Sequence, residues 1–164
     1  MTTPIACSQH NHAHCINDAL AAARQICEQR GTRLTPQRLQ ILELVWQSHK
    51  PLGAYALMDQ LAQMATRTVA PPTVYRALEF LLEQGLIHRI HALNAYIGCP
   101  APKHQHQSHF LLCRDCGIAV EMVQPALVQH INNSAQAAGF SVVSQALEVM
   151  GLCPDCQTRN TSHD

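Results

Sequence analysis

The sequence is poor in charge: eleven basic and eleven acidic side chains, together 13% of 164 residues, cancel to zero with histidine neutral. That balance lacks the basic excess by which nucleic-acid binders are usually recognised. Any contact with DNA must then rest on individually placed arginines and on dimer symmetry rather than on a general positive field. Nowhere do 18 consecutive apolar residues occur, which excludes an apolar helix long enough to span a bilayer. The opening MTTPIACSQHNHAHC lacks the basic region and apolar core of a secretory signal, and a cytoplasmic protein is expected. HExxH is missing, as is any H-x-E upstream of a C-x-x-C pair, so two familiar zinc-enzyme signatures are excluded. No internal repeat is evident.

Ligand atoms, by contrast, are plentiful. Eleven histidines accompany eight cysteines in a chain that is 47% hydrophobic, the composition of a packed globular protein. Cytosolic thiols are normally reduced, so metal ligation is the leading reading of the cysteines and a disulfide framework is not. The zero net charge also hides a split. Residues 17–98 carry eight basic and six acidic side chains, a net charge of +2, whereas residues 99–164 carry three basic and five acidic.

Residues 1–16 read as a flexible, histidine-rich leader with no apolar period. A helix is expected from Asn17 or Asp18 to Arg30, stopped at Gly31. In TPQRLQILELVWQS, Thr35 is placed as an N-cap and Pro36 at the first helical position, with Leu39, Leu42 and Trp46 at helical spacing. A third helix runs from about Ala54 to Met64 on Leu57 and Leu61, closed by the polar TRTVA. Pro71 and Pro72 open a fourth, PPTVYRALEFLLEQG. Its wheel puts Val74, Ala77, Leu78, Leu81 and Leu82 on the packed side and Arg76, Glu79, Phe80 and Glu83 on the free side. LIHRIHALNAYIG then reads as two short strands around Leu93-Asn94. Helices followed by a hairpin are the order of a winged-helix domain. After a polar stretch containing PAPKHQHQS, strands are expected at 109–113 and 118–122, a helix at 124–138 and a strand at 140–149. The fold class is therefore α+β, with a winged helix-turn-helix domain at 17–98, a linker at 99–108, a smaller α/β domain at 109–156 and a flexible tail at 157–164.

The strongest chemical signal is Cys113-x2-Cys116 followed, after 36 intervening residues, by Cys153-x2-Cys156. Two such turns complete a tetrahedron of soft thiolates, suited to Zn²⁺ or to iron–sulfur chemistry, with buried thiols or a redox pair as the rival readings. A closed four-cysteine site has no open coordination position, which makes it structural. A second site has to be drawn from His88, His91, Cys99, His104, His106, His109 and Glu121. The leader adds Cys7, His10, His12, His14 and Cys15 as possible chelators, and Cys27 reads as a small apolar filler.

RLTPQR after Gly31, PPTVYRALEFLLEQGLIHR and the paired CxxC turns together resemble the ferric uptake regulator family, most closely its zinc-responsive branch, over about residues 17–156. The resemblance implies a zinc-responsive repressor, not an enzyme: a homodimer held by its C-terminal domains, whose winged helices read a pseudo-palindromic operator in double-stranded DNA. It implies two Zn²⁺ per subunit, a structural ion on Cys113, Cys116, Cys153 and Cys156 and a regulatory ion on His88, Cys99, His106 and Glu121. Some members have a third site, for which His104, His109 and His130 are the candidates here. The resemblance also points to Arg33 and Tyr55 as DNA contacts, beside Arg76 on the free face of the fourth helix and its neighbour Tyr75, with packing between helices as the other reading of the tyrosines. Iron and peroxide sensors of the family usually have a histidine just ahead of the third helix, where Pro51 stands here, and a tighter histidine run than HQHQSH. Iron, manganese and peroxide sensing remain the alternatives within the family, and a zinc-dependent enzyme the alternative of another class.

Overall fold

The computed structural model describes residues 12–64, 69–103 and 108–161. They form two compact units divided between Gln105 and His106. No helix among the described residues is long and apolar enough to cross a membrane.

The N-terminal unit opens with α1 (His12–Gln29). The helix starts earlier than expected, so residues 12–16, the last five of the presumed flexible leader, are helical. Its half-buried and buried positions, His12, Cys15, Ile16, Ala19, Leu20, Ala22, Ala23, Ile26 and Cys27, recur at helical spacing and form one packing stripe. α2 (Pro36–Trp46) begins as expected, with the Thr35 hydroxyl accepting from the Arg38 N–H at 3.3 Å. Its deepest residues are Ile41, Leu42, Leu44 and Val45, whereas Leu39 and Trp46 are only half-buried. The helix is covered on two sides, so its buried face is broader than the stripe read from spacing. β1 (Leu52–Gly53), not expected at all, leads into α3 (Ala54–Met64), in which Leu57 and Leu61 are buried as anticipated.

α4 (Pro71–Glu83) ends where Gly85 adopts φ 69°, which lets the Leu86 N–H reach the Leu81 carbonyl at 2.9 Å and turns the chain back. Phe80 is the exception to the expected wheel: it is buried, with the Arg38 guanidinium over its ring at 3.6 Å from the centroid. A cation supplied by the neighbouring helix covers what the wheel had left to solvent.

The hairpin follows as β2 (Ile87–Ile90) and β3 (Ala95–Gly98), antiparallel, with Asn94 at φ 46° in the turn and β1 added beyond β3 to give the order β1-β3-β2. Ile87 and Tyr96 join the helical core. A Cβ at Gly98 would fall inside the Trp46 indole, so no other residue fits there without movement. Gly98→Ala is expected to destabilise this unit by about 1–3 kcal/mol, the usual cost of overpacking. A urea titration followed by tryptophan fluorescence measures it, and an unchanged midpoint would mean that the indole yields freely.

The C-terminal unit contains β4 (His109–Cys113), β5 (Ala119–Met122), α5 (Pro125–Ala137), β6 (Leu147–Gly151) and α6 (Pro154–Thr161). β4 lies centrally, antiparallel to β5 and parallel to β6. The last strand begins at Leu147, not at 140, because its ladder starts opposite His109, the first residue of β4. α6 replaces much of the flexible tail expected from 157, with Pro154 at its first position and Asp155 in its first turn. Leu111 and its register partner Val149 are exposed together on the sheet, as are Phe140 and Val143 beyond α5, and α5 has no buried residue. One chain leaves this apolar surface uncovered.

Candidate metal centres and nucleic-acid interface

Parallel pairing of β4 and β6 explains how two cysteine pairs with 36 residues between them meet. Parallel strands end on the same side, and Cys113, the last residue of β4, stands opposite Gly151, the last of β6. The Arg114 N–H donates to the Gly151 carbonyl at 3.0 Å and ties the two exits together. Beyond β4 the turn closes with the Gly117 N–H donating to the Cys113 carbonyl at 3.0 Å, Gly117 taking φ 74°. Beyond β6 the Cys153 carbonyl accepts from the Cys156 and Gln157 N–H groups and starts α6.

The four sulfurs lie within 4.8 Å of one another, Cys113 and Cys156 buried and Cys116 and Cys153 half-buried. Cys116 and Cys153 are 3.7 Å apart. A tetrahedral ion with metal–sulfur bonds of about 2.3 Å needs edges of roughly 3.8 Å, so the donor set and its spacing fit Zn²⁺. The backbone N–H groups of Cys116 and Cys153 lower the Cys113 pKa from 9.0 to about 6 and favour its thiolate; one of these contacts, from Cys153, measures 3.3 Å. Burial pushes Cys156 up to about 12, so a metal ion must displace protons to bind all four. The Arg159 guanidinium donates to Cys156 Sγ at 2.9 Å. Sequence reasoning missed Arg159 because it fell in the presumed tail. Once α6 is recognised, its spacing of three from Cys156 is the signal.

In the N-terminal unit His88 stands opposite Ile97 across the hairpin, and Cys99 follows two residues after Ile97. Cross-strand partners and alternate residues share a face, so His88 and Cys99 lie together on the side of the sheet away from Ile87. Their ligand atoms are within 4.8 Å of each other. Cys99 is buried and is anchored by its N–H to the Leu86 carbonyl at 3.0 Å. In the C-terminal unit, Glu121 on β5 is half-buried, and the Ser108 hydroxyl donates to its carboxylate. Ser108 is a further residue the sequence did not single out.

The ferric uptake regulator family model matches residues 29–150. The chain belongs to the ferric uptake regulator family. It is 39% identical over 140 residues to the zinc uptake regulation protein of Escherichia coli strain K12, covering 85% of this chain and 81% of that protein. A solved zinc uptake regulator complexed with zinc and DNA superposes with a TM-score of 0.84 at 36% identity, over 89% of this chain and 97% of that one. The crystal structure of holo XcZur does so with 0.79 at 40% identity, over 87% and 99%. The fold expected from sequence, an N-terminal winged helix and a C-terminal dimerisation domain, is the fold of this family member.

Other expected residues divide clearly. His104 and His106 lie outside the described residues, as do Cys7 and His10. His109 is fully buried in β4 and His130 is exposed on α5, and neither joins a ligand group among the described residues. His91 is exposed at the hairpin turn, also outside those groups. Cys27 packs in the core of the N-terminal unit, as a filler should. Arg33, Tyr55, Tyr75 and Arg76 are all exposed. Tyr55 is 77% accessible and Tyr75 41%, which argues against the reading that these tyrosines serve only to pack helices.

Proposed function

We propose that this family member is a zinc-responsive transcriptional repressor that binds pseudo-palindromic operator DNA as a homodimer when zinc is bound and so controls genes of zinc uptake and homeostasis. It acts in the cytoplasm and is a regulator, not an enzyme. The observation that carries the reading is the pairing of His88 with Cys99 in the DNA-binding unit of a chain that also holds a four-thiolate cluster, in a fold shared with a zinc uptake regulator complexed with zinc and DNA.

Two Zn²⁺ per subunit serve different ends. Cys113, Cys116, Cys153 and Cys156 hold the structural ion and knit β4, β6 and α6. His88 and Cys99 from the N-terminal unit, with His106 and Glu121, take the regulatory ion. One thiolate, two imidazoles and one carboxylate suit tetrahedral zinc better than the oxygen-rich octahedra of manganese. Because the ligands come from both units, zinc favours the arrangement that supplies all of them. Moving a two-state population from 1:99 to 99:1 requires a differential affinity of about 10⁴-fold, or about 5.5 kcal/mol. Linkage then obliges operator DNA to tighten zinc by the same factor that zinc tightens DNA.

On the DNA side, α4 enters the major groove. Arg76 on its exposed face offers two parallel N–H donors to guanine O6 and N7 or to a phosphate. Tyr75 beside it, Tyr55 at the start of α3 and Arg33 ahead of α2 contact the backbone or groove edges. The apolar surface around Leu111, Val149, Phe140 and Val143 is of the kind a second copy covers.

The test is a mobility shift with operator DNA in which Zn²⁺, Fe²⁺ and Mn²⁺ are each buffered against chelator. Zinc alone, at sub-nanomolar free concentration, is expected to restore binding. Equal activation by Fe²⁺ would overturn zinc as the sensed metal and favour an iron sensor of the same family.

A further inference from the structure

The early start of α1 gives part of the histidine- and cysteine-rich N-terminal segment a defined place. His12, the first residue of α1, meets His49 in the turn after α2, their ring centroids 4.7 Å apart and their planes at 63°. Both ring nitrogens of His12 and Nε2 of His49 are shielded from solvent. The turn that presents His49 is fixed locally, the Lys50 N–H donating to the Ser48 hydroxyl at 2.9 Å and that hydroxyl to the Lys50 carbonyl at 3.3 Å. Cys15 follows His12 by three residues, which places it on the same face of the helix, and it is half-buried. The packing stripe of α1 is apolar from Ile16 onward, yet the two stripe residues of its first turn, His12 and Cys15, carry ligand atoms.

We propose that His12 and His49, with Cys15 as third donor, form a binding site for a divalent d-block cation of borderline softness such as Zn²⁺, Co²⁺ or Ni²⁺. Two imidazoles and a thiolate are the donor types such ions prefer, and hard ions such as Mg²⁺ would be refused. The residues are distinct from the four-cysteine cluster and from His88 and Cys99, so the proposal stands whichever metal the regulator senses. The two rings already meet. Cys15 is not united with them within the 4.8 Å that gathers the other clusters, so its sulfur closes on the ion by a side-chain rotation. Three protein donors leave one position for water. Occupancy would fasten the start of α1 to the end of α2, within the DNA-binding unit.

The experiment uses the full chain with its tightly held zinc in place, dialysed to equilibrium against Co²⁺ and assayed for both metals. His12→Gln and His49→Gln are each expected to lose one Co²⁺ equivalent relative to the parent, with zinc content and circular dichroism unchanged. Cys99→Ser loses a different equivalent, so that Cys99→Ser combined with His49→Gln loses both. His49→Cys, which keeps a ligand, retains the equivalent, and Cys15→Ser weakens the thiolate-to-cobalt charge-transfer band while the imidazole-bound ion remains. Parental Co²⁺ content in His49→Gln would overturn the proposal. So would loss confined to His12→Gln, since that would assign the ion to the N-terminal segment without α2.

Discussion

Replacing Cys113 by serine is expected to unfold the C-terminal unit and dissociate the dimer. Among the described residues of that unit only His109, Phe110, Leu112, Cys113, Ala119 and Cys156 are buried, and two of these six are cysteines of the cluster. So small a core cannot offset the ordering of some fifty residues at about 1.5 kcal/mol each. A structural zinc ion contributes about 10–16 kcal/mol of apparent binding free energy in small peptides, as much as the roughly 5–15 kcal/mol that stabilises a whole domain. The N–H groups of Cys116 and Cys153 draw the Cys113 pKa down to about 6 and so favour the thiolate that a zinc ion requires. Serine keeps the shape but not the soft thiolate. Far-UV circular dichroism, sedimentation velocity and metal analysis together read the outcome: monomer, lost strand signal and zinc content reduced by the structural ion. A folded, dimeric Cys113→Ser protein lacking that ion would show that the cluster is dispensable for folding.

Much of this architecture was legible in the sequence because the signals were local. Thr35-Pro36 and Pro71-Pro72 mark helix starts by backbone chemistry alone, and the chain obeys them. The CxxC pairs announce a tetrahedron whatever brings them together. What stayed hidden depended on partners distant in sequence. Phe80 belongs to the free side of its own helix by periodicity, and its burial depends on partners from elsewhere in the chain, among them Arg38 of α2 over its ring. β1 is two residues long and exists because β3 offers it a ladder. The late start of β6 follows from where β4 begins. The first turn of α1 and the whole of α6 were missed for a different reason, since histidine-rich and polar composition was taken as disorder although the helical spacing of His12, Cys15 and Cys156, Arg159 was present. Of the proposed regulatory ligands, His88 and Cys99 are juxtaposed by the hairpin register, a relation that strand pairing makes plain and residue spacing alone does not.

Cys99→Ser is expected to leave a folded dimer that retains its structural zinc and no longer responds to further zinc on DNA. The substitution is conservative in size at a buried position, and the Cys99 N–H bond to the Leu86 carbonyl involves only backbone, so the hairpin should survive. What disappears is the one soft donor in the proposed regulatory set. Two imidazoles and a carboxylate can still bind zinc weakly, but tight binding in a buffered cell depends on the thiolate. Allosteric coupling between ligands is typically about 5- to 150-fold, and for this variant the ratio of DNA affinities with and without zinc should fall to about one. Fluorescence anisotropy of labelled operator, measured across a zinc buffer series, gives that ratio directly, with circular dichroism and sedimentation as the check on folding. The contrast with Cys113→Ser is the decisive feature, since the proposal has one thiol govern whether the C-terminal unit folds and the other whether DNA binding answers to zinc. If Cys99→Ser keeps the full zinc response, the coupling does not pass through the hairpin, and the ion that switches DNA binding must be held by other ligands.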